Sequence, residues 1–141
     1  MKIAILGAEN SHADAFGKLV KENPKYTDIE IVGIYSEEKE ALQRILDAGY
    51  ATYAAKSPDE FLGKVDGVVV TARHGNNHHK YAMPYVKAGI PCFIDKPFCA
   101  DLDLAKELAD TAKENGVLLC GGSCLKFIDE IKPLARIANK K

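Results

Sequence analysis

The sequence lacks a long apolar segment, an excess of charge of one sign and a signal for secretion. No run approaches the roughly 18 apolar residues that a membrane-spanning helix needs, and the apolar start at residues 1–7 has no cleavage site behind it. Lysine and arginine number 19 against 20 acidic residues, for a net charge of -1. These absences argue against membranes and nucleic acid as partners, because no broad basic surface is available. They favour a cytoplasmic protein whose partners are small molecules or other proteins.

The cysteines also lack a pattern. Cys92, Cys99, Cys120 and Cys124 show no Cys-x-x-Cys pair. Without such spacing, and without a secretory signal that would favour disulfides, the chain predicts reduced thiols in or near the core. A zinc or other metal site is not expected from them.

The length of 141 residues suits a single domain. Apolar, β-rich runs alternate with helical patterns along the whole chain. The predicted strands cover residues 3–6, 29–35, about 52–53, 67–71, 91–94 and 117–120. The predicted helices cover residues 11–22, 38–48, 57–62, 81–88, 101–115 and 128–138. Six strands in alternation with helices predict an α/β fold: a doubly wound parallel sheet in the order 3-2-1-4-5-6, with helices on both faces.

In the first helix, the spacing of Ala15, Leu19 and Val20 predicts that these side chains face the sheet. The second helix should end at Gly49, since a glycine can adopt the left-handed conformation that closes a helix. Ser57 and Glu60, three residues apart, form a capping-box pattern at the start of the short helix at 57–62.

A ligand of such a sheet binds beyond the carboxyl ends of its strands, where the strand order reverses. After the first strand, a Gly-x-Gly-x-x-Gly turn would be expected, but only Gly7 remains in residues 7–12. Glu9 replaces the second glycine, and its charge should weaken the binding of a pyrophosphate. The helix N-terminus still attracts anions, and Asn10, Ser11 and His12 add donors. In the alternative interpretation, Asn10 or Ser11 only caps the helix.

After the second strand, Ser36 and Glu37 stand where a dinucleotide enzyme binds the adenosine ribose. A carboxylate there repels a 2′-phosphate, so Glu37 favours NAD over NADP if it faces the ribose. The alternative is that Glu37 only begins the next helix, in which case it carries no information about the cofactor.

After the fourth strand comes an unusually polar loop, for which we predict contact with cofactor or substrate. Its candidate residues are Thr71, Ala72, Arg73, His74 and His78. His74 and His78 are four residues apart, as metal ligands on a helix can be, but no carboxylate or cysteine nearby completes a set. We therefore predict no metal. A surface loop without a ligand is the alternative.

Several of these segments recur together in a known family. The segments follow one another in a fixed order: an apolar strand at residues 68–71, His78, the pair Ala88-Gly89, and a strand that ends in Asp95-Lys96-Pro97. His78 stands eleven residues before Gly89, and Lys96 seven after it. In this order and spacing, the chain resembles the N-terminal Rossmann domain of the glucose-fructose oxidoreductase and inositol dehydrogenase (Gfo/Idh/MocA) family.

The resemblance implies that residues 1–141 form a single dinucleotide-binding Rossmann domain whose cofactor is NAD or NADP, with NAD slightly favoured. It implies that Asp95, Lys96 and Pro97 contact the cofactor, with Lys96 at the nicotinamide end of the cleft. It also implies that Lys96 is catalytic, holding the substrate hydroxyl and assisting proton transfer. The peptide bond before Pro97 is expected to be cis. Asp95 replaces the family's usual glutamate and is one methylene shorter, which makes its contact with the cofactor region less secure.

In the family a second domain binds the substrate, supplies an Asp/His pair and forms the oligomer interface. The resemblance thus predicts an oxidoreductase acting on a sugar, polyol or related molecule, with the 141-residue chain inactive by itself. If the chain works alone, an exposed apolar face would favour a homo-oligomer. The alternative function is a non-catalytic module that senses a nucleotide or binds protein, with a degenerate dinucleotide site.

Overall fold

The computed structural model describes residues 1–123, together with 125, 128, 129 and 133. The chain has an α/β fold, in which helices cover both faces of a sheet. The strands are β1 Lys2–Leu6, β2 Glu30–Tyr35, β3 Gly67–Val70, β4 Cys92–Ile94 and β5 Leu119–Gly121. The helices are α1 Ser11–Glu22, α2 Lys39–Asp47, α3 Asn76–Lys87 and α4 Leu102–Glu114, with a 3-10 turn at Pro24–Tyr26. Among these helices, none is long and apolar enough to cross a membrane.

Over the described residues, the strands form one parallel sheet in the order β2-β1-β3-β4-β5. The chain runs outward from β1 to β2 and then returns to the other side of β1 with β3. The strand order therefore reverses between β1 and β3, and a crevice opens beyond their carboxyl ends. β3 is an almost wholly buried run of valines, as expected for a parallel strand covered on both faces.

The prediction of six strands is wrong, because the segment near residues 52–53 forms only an isolated bridge. Ala54 pairs in parallel with Ile34 on the outer side of β2, where the third strand was expected. The Ile34 N–H donates to the Tyr53 carbonyl at 2.9 Å, and the Ala55 N–H donates to the Ile34 carbonyl at 2.8 Å. The Lys56 N–H instead donates to the Glu60 carboxylate at 2.8 Å, so the chain leaves the sheet there.

The short helix predicted at residues 57–62 is also wrong. Residues 58–64 form consecutive turns whose backbone bonds span three residues, as from the Leu62 N–H to the Asp59 carbonyl at 3.1 Å. The Glu60 carboxylate accepts hydrogen bonds from the Tyr53 hydroxyl and the Lys56 N–H, which draw it toward the preceding segment. The last predicted helix, at 128–138, lies largely outside the described residues.

α1, α2 and α4 begin and end close to their predicted bounds, whereas α3 begins at Asn76, five residues before its predicted start at residue 81. The polar residues from Asn76, expected in the loop, form its first turn, where His78 is buried in the core. Asn10 caps α1, where its side-chain oxygen accepts the His12 N–H at 3.1 Å, and Asp101 caps α4 by accepting the Leu104 N–H at 3.0 Å. Gly49 follows α2 with a φ of +65°, as predicted.

The predicted sheet-facing side of α1 is confirmed in part. Val20 packs against the core cluster that contains Ile3, and Leu19 borders a cavity together with sheet residues, although Leu19 and Ala15 are exposed. The buried residues of α1 are Ala13 and Gly17, which the hydrophobic pattern did not indicate. At Gly17 a Cβ atom would lie 2.6 Å from the side chain of Tyr50, so the glycine permits a close approach.

The core consists of two clusters of buried residues. α3 and α4 contribute to one, through Tyr81, Tyr85 and Leu108, and α1 and α2 contribute Ala13 and Ile45 to the other. Within the first cluster, the Tyr85 hydroxyl donates to the Pro58 carbonyl at 2.5 Å. Burial raises the pKa of Tyr85 to about 12, so its hydroxyl keeps the proton that it donates.

Leu108 and Leu102 on α4 provide a matched test of this core. Leu108 is fully buried, whereas Leu102 is 84% exposed. We expect Leu108→Ala to lower the free energy of unfolding by about 2–5 kcal/mol, since it removes apolar contacts and leaves a cavity. Leu102→Ala should change it by less than about 0.5 kcal/mol. Urea unfolding of both variants measures the difference, and equal losses would show that α4 does not pack as described.

Candidate functional site

The turn after β1 packs directly against the loop after β3. Gly7 has a φ of +97°, and a Cβ atom at this position would lie 2.2 Å from the backbone nitrogen of Ala72. The buried Thr71 hydroxyl donates to the Gly7 carbonyl at 2.9 Å. Only glycine meets both the positive φ and the close backbone approach. The first glycine of the expected Gly-x-Gly-x-x-Gly turn is therefore present, and it packs directly against the backbone of Ala72.

The positive end of α1 lies beside this turn. The Asn10 cap satisfies the His12 N–H, and the Ala13 N–H donates to the Asn10 carbonyl at 2.9 Å. The Ser11 N–H has no acceptor among the residues that the structure describes, and Ser11 is exposed. A helix N-terminus with a free N–H group is suited to bind an anion such as a phosphate.

The Glu9 side chain spans the crevice between the ends of β2 and β3. Its Oε2 atom accepts the Ser36 hydroxyl at 2.8 Å, and its Oε1 atom accepts the Arg73 N–H at 3.1 Å. The Arg73 guanidinium in turn donates to the Glu9 carbonyl at 2.6 Å and to the Glu38 carboxylate at 3.1 Å. Both carboxylate oxygens of Glu9 are thus held at the switch point of the sheet.

The two candidates after β2 separate in the structure. Ser36 is buried and accepts the Glu38 N–H at 3.1 Å in addition to its bond to Glu9. The exposed Glu37 points toward α3, where its carboxylate lies 3.8 Å from the Lys80 ammonium. Burial, followed by the charge of Glu37, raises the pKa of both Tyr35 and Tyr81, and the Glu9 charge adds to it. Negative charge is therefore concentrated at this end of the crevice.

At the other end, His12 connects α1 to the end of β4. Its Nδ1 atom lies 2.6 Å from the Oδ2 atom of Asp95, which is buried, while His12 remains partly exposed. Lys96 follows on the surface, and the Lys96–Pro97 peptide bond is cis, as the resemblance implied. The three side chains border a cavity of about 750 Å³ whose other lining residues include Ala15, Phe16, Leu19, Phe93, Cys120 and Leu125.

His78 lies behind the crevice. It is fully buried, with Nδ1 2.6 Å from the Pro97 carbonyl oxygen and Nε2 2.8 Å from the Ala72 carbonyl oxygen. This arrangement leaves no exposed surface for direct contact with a ligand, and the ring instead joins the loops after β3 and β4. His74 is exposed, and its Nδ1 atom accepts the Asn76 N–H at 3.3 Å. In the described part of the chain, no three metal-ligating side chains come together.

Two further residues border the site without any signal in the sequence. Arg44 of α2 donates to the Ala8 carbonyl at 2.9 Å and pairs with Asp14 at 2.9 Å, next to the start of α1. Glu38 binds Arg73 across the crevice mouth. Their partners lie at least 30 residues away in the chain, so local patterns could not reveal them.

A family model matches this chain. The Gfo/Idh/MocA model, described as "Oxidoreductase family, NAD-binding Rossmann fold", matches residues 1–123. A curated relative, the UDP-N-acetylglucosamine 3-dehydrogenase of Acidithiobacillus ferrooxidans, is 30% identical over 99 residues. That alignment covers 70% of this chain and 31% of the relative, so the chain spans about a third of that protein's length.

Solved structures show the same fold. GenD2 from gentamicin A biosynthesis, in complex with NAD, has a TM-score of 0.79 at 19% identity. Biliverdin reductase from Synechocystis sp. PCC 6803, in complex with biliverdin and NADP⁺, has a TM-score of 0.80 at 16% identity. Each match covers 99% of this chain, but only 39% and 43% of those chains respectively.

His78 in the first turn of α3 and His74 in the loop before it permit a matched test of how the site is held together. We expect His78→Ala to lower the free energy of unfolding by about 2–4 kcal/mol, since it leaves a cavity and removes the ring's contacts with the buried Ala72 carbonyl and the part-buried Pro97 carbonyl. His74→Ala removes an exposed ring and should cost less than about 0.5 kcal/mol. Urea unfolding compares the two, and a small loss for His78→Ala would contradict the linking role of its ring.

Proposed function

Because the chain belongs to the Gfo/Idh/MocA oxidoreductase family and matches its NAD-binding Rossmann domain, we propose that it binds an NAD-type dinucleotide across the carboxyl edge of its sheet. The observation that carries the proposal is the free Ser11 N–H at the start of α1, directly after the tightly packed Gly7 turn. A pyrophosphate is the anion that such a turn and helix bind in dinucleotide folds.

The donors and acceptors along the crevice fit the rest of a dinucleotide. Ser36 and the carboxylates around it lie at the end of β2, where the fold places the adenosine ribose. We propose that this concentration of negative charge favours NAD over NADP, whose 2′-phosphate would be repelled. Asp95 and Lys96 directly follow β4 and mark the opposite, nicotinamide side of the crevice.

We assign Lys96 the role of holding the substrate hydroxyl. A bound oxidised nicotinamide ring would accept the hydride from the substrate carbon, and the chain's own part is to orient the substrate and to assist the loss of its hydroxyl proton. The Lys96 ammonium donates a hydrogen bond to the hydroxyl oxygen and stabilises the negative charge that develops there. The substrate class is a sugar, polyol or related hydroxylated molecule, in keeping with the sugar-nucleotide dehydrogenase among its relatives.

Turnover requires more than this domain provides. Hydride transfer needs the reacting carbon to be held against the nicotinamide with water excluded. The described residues leave Lys96 exposed at the surface. We therefore propose that a substrate-binding domain completes the site, and that the 141-residue chain alone binds dinucleotide but is inactive.

A second candidate function is a non-catalytic module that senses a nucleotide or binds a protein. It is favoured by Glu9 at the position of the second glycine. Lys96 separates the two candidates, because a sensing module has no use for a proton-transfer group there.

The role of the α1 N-terminus is tested with two substitutions at Ser11. Proline is well tolerated at the first position of a helix, and Asn10 has the extended conformation that a following proline requires, with a φ of -89° and a ψ of 139°. Ser11→Pro thus removes the N–H and keeps the helix. We expect it to weaken NADH binding about tenfold in calorimetric titration, whereas Ser11→Ala, which retains the N–H, changes it by less than about threefold.

Equal affinities for Ser11→Pro and the wild type would place the pyrophosphate elsewhere. If neither NADH nor NADPH binds to the folded wild-type chain, the dinucleotide proposal is wrong.

The catalytic assignment is tested in the longest form of the protein that contains this domain, assayed with sugar nucleotides and polyols. We expect Lys96→Ala to lower kcat at least about 100-fold, since general acid–base catalysis contributes factors of this size. NADH affinity should fall much less than kcat. The control is Lys113→Ala, which replaces an exposed lysine on α4. Unchanged turnover in Lys96→Ala would remove this lysine from the mechanism.

A further inference from the structure

The end of β2 lacks the acidic side chain that dinucleotide folds use for the adenosine ribose. Ser36, the first residue after Tyr35, has a hydroxyl and no charge. The next two residues are acidic, but both carboxylates have partners elsewhere. Glu37 points to Lys80 on α3 and Glu38 to Arg73. The ribose position therefore has no carboxylate from its own strand.

A carboxylate nevertheless lies at this position, and it comes from the turn after β1. Glu9 Oε2 is 2.8 Å from the Ser36 hydroxyl oxygen, so the charge lies just beyond the side chain at the end of β2. An aspartate at position 36 in the Ser36 rotamer would direct its carboxylate toward the same region, because the two side chains share the bond that leaves Cβ. Glu9 extends from the turn to reach it.

The Glu9 carboxylate keeps the capacity to bind a ligand. Each of its oxygens accepts one hydrogen bond from the protein, from the Ser36 hydroxyl and from the Arg73 N–H. A carboxylate oxygen accepts two, so each oxygen can take one more. Glu9 is only partly buried. Two ribose hydroxyls would thus find two acceptors in fixed positions.

We propose that Glu9 is the ribose-binding carboxylate of this protein, supplied from the glycine turn in place of a residue after β2, and that it selects NAD over NADP. The inference rests on the proposed dinucleotide binding. It reverses the role expected from the sequence, where Glu9 was predicted to weaken binding by repelling the pyrophosphate. Both oxygens are drawn toward β2 and the loop after β3, and the Arg73 guanidinium bound to the Glu9 carbonyl offsets part of the charge.

Arg73 provides the competing possibility. An arginine near this position can bind a 2′-phosphate. Its guanidinium is engaged by the Glu9 carbonyl and the Glu38 carboxylate, which reduces its availability. A preference for NADPH that Arg73→Ala abolishes would show that Arg73, rather than Glu9, governs the choice.

The test is calorimetric titration of the 141-residue chain with NADH and NADPH, for the wild type, Glu9→Gln and Glu37→Gln. The wild type should bind NADH at least about tenfold more tightly than NADPH. Glu9→Gln should weaken NADH about tenfold and strengthen NADPH, so that the ratio approaches one. Glu37→Gln tests the other acidic candidate, whose carboxylate is directed at Lys80, and should change the ratio much less than Glu9→Gln does. Loss of the NADH preference in Glu37→Gln but not in Glu9→Gln would overturn the role of Glu9. Thermal unfolding confirms that each variant is folded.

The outcomes distinguish the two proposals. If every variant binds NADH and the ratio of NADH to NADPH affinity is unchanged, the role of Glu9 is overturned and the dinucleotide proposal stands. Tighter NADH binding by Glu9→Gly would have the same two consequences. Absence of binding by all folded variants overturns both. A ligand-side measurement needs no variant: the wild type should bind ADP-ribose about tenfold more tightly than its adenosine 2′-deoxy analogue. Equal affinity for these two ligands would also overturn the role of Glu9.

Discussion

The close approach of Gly7 to Ala72 is the constraint on which the rest of the site depends. With no room for a side chain at position 7, the turn after β1 is pressed against the loop after β3, and the Thr71 hydroxyl fixes it there. This contact sets where α1 begins and therefore where its free N–H group lies. A helix end is a useful anion site only if its position is fixed relative to the sheet, and the packing of backbone on backbone provides that.

From this point, polar side chains join the neighbouring loops around the crevice. Glu9 connects the ends of β2 and β3, His12 connects α1 to Asp95, and buried His78 connects the loops after β3 and β4. Each of these contacts joins segments that follow different elements, so each resists relative movement of the strand ends. Because these side chains and loops are already ordered, binding a ligand costs less conformational entropy than it would at a flexible site.

Much of the fold follows from local patterns, whereas the site contacts do not. The bounds of α1 were predicted to the residue, because cap, helix period and the flanking strands agree there. The strand near residues 52–53 and the helix at 57–62 fail because Glu60 binds its neighbours instead of capping a helix. The burial of Gly17 in α1 was missed because glycine counts as neutral in a hydrophobic pattern, and only its close approach to Tyr50 reveals it. His12 and Asp95 are 83 residues apart, and only the folded sheet brings them together.

The crevice is acidic at one end and basic at the other, and this difference would orient a bound dinucleotide. Glu9, Glu37 and Glu38 place three carboxylates around the end of β2, balanced in part by Arg73 and Lys80. Lys96 extends from the end of β4 on the opposite side of β1, next to the His12–Asp95 pair. Ribose hydroxyls are hydrogen-bond donors and suit the acidic end, while an alkoxide that forms during hydride transfer suits the basic end. A dinucleotide bound in the opposite direction would place its reacting end among carboxylates that destabilise such a charge, so the side chains proposed to bind the cofactor would also favour a single orientation for it.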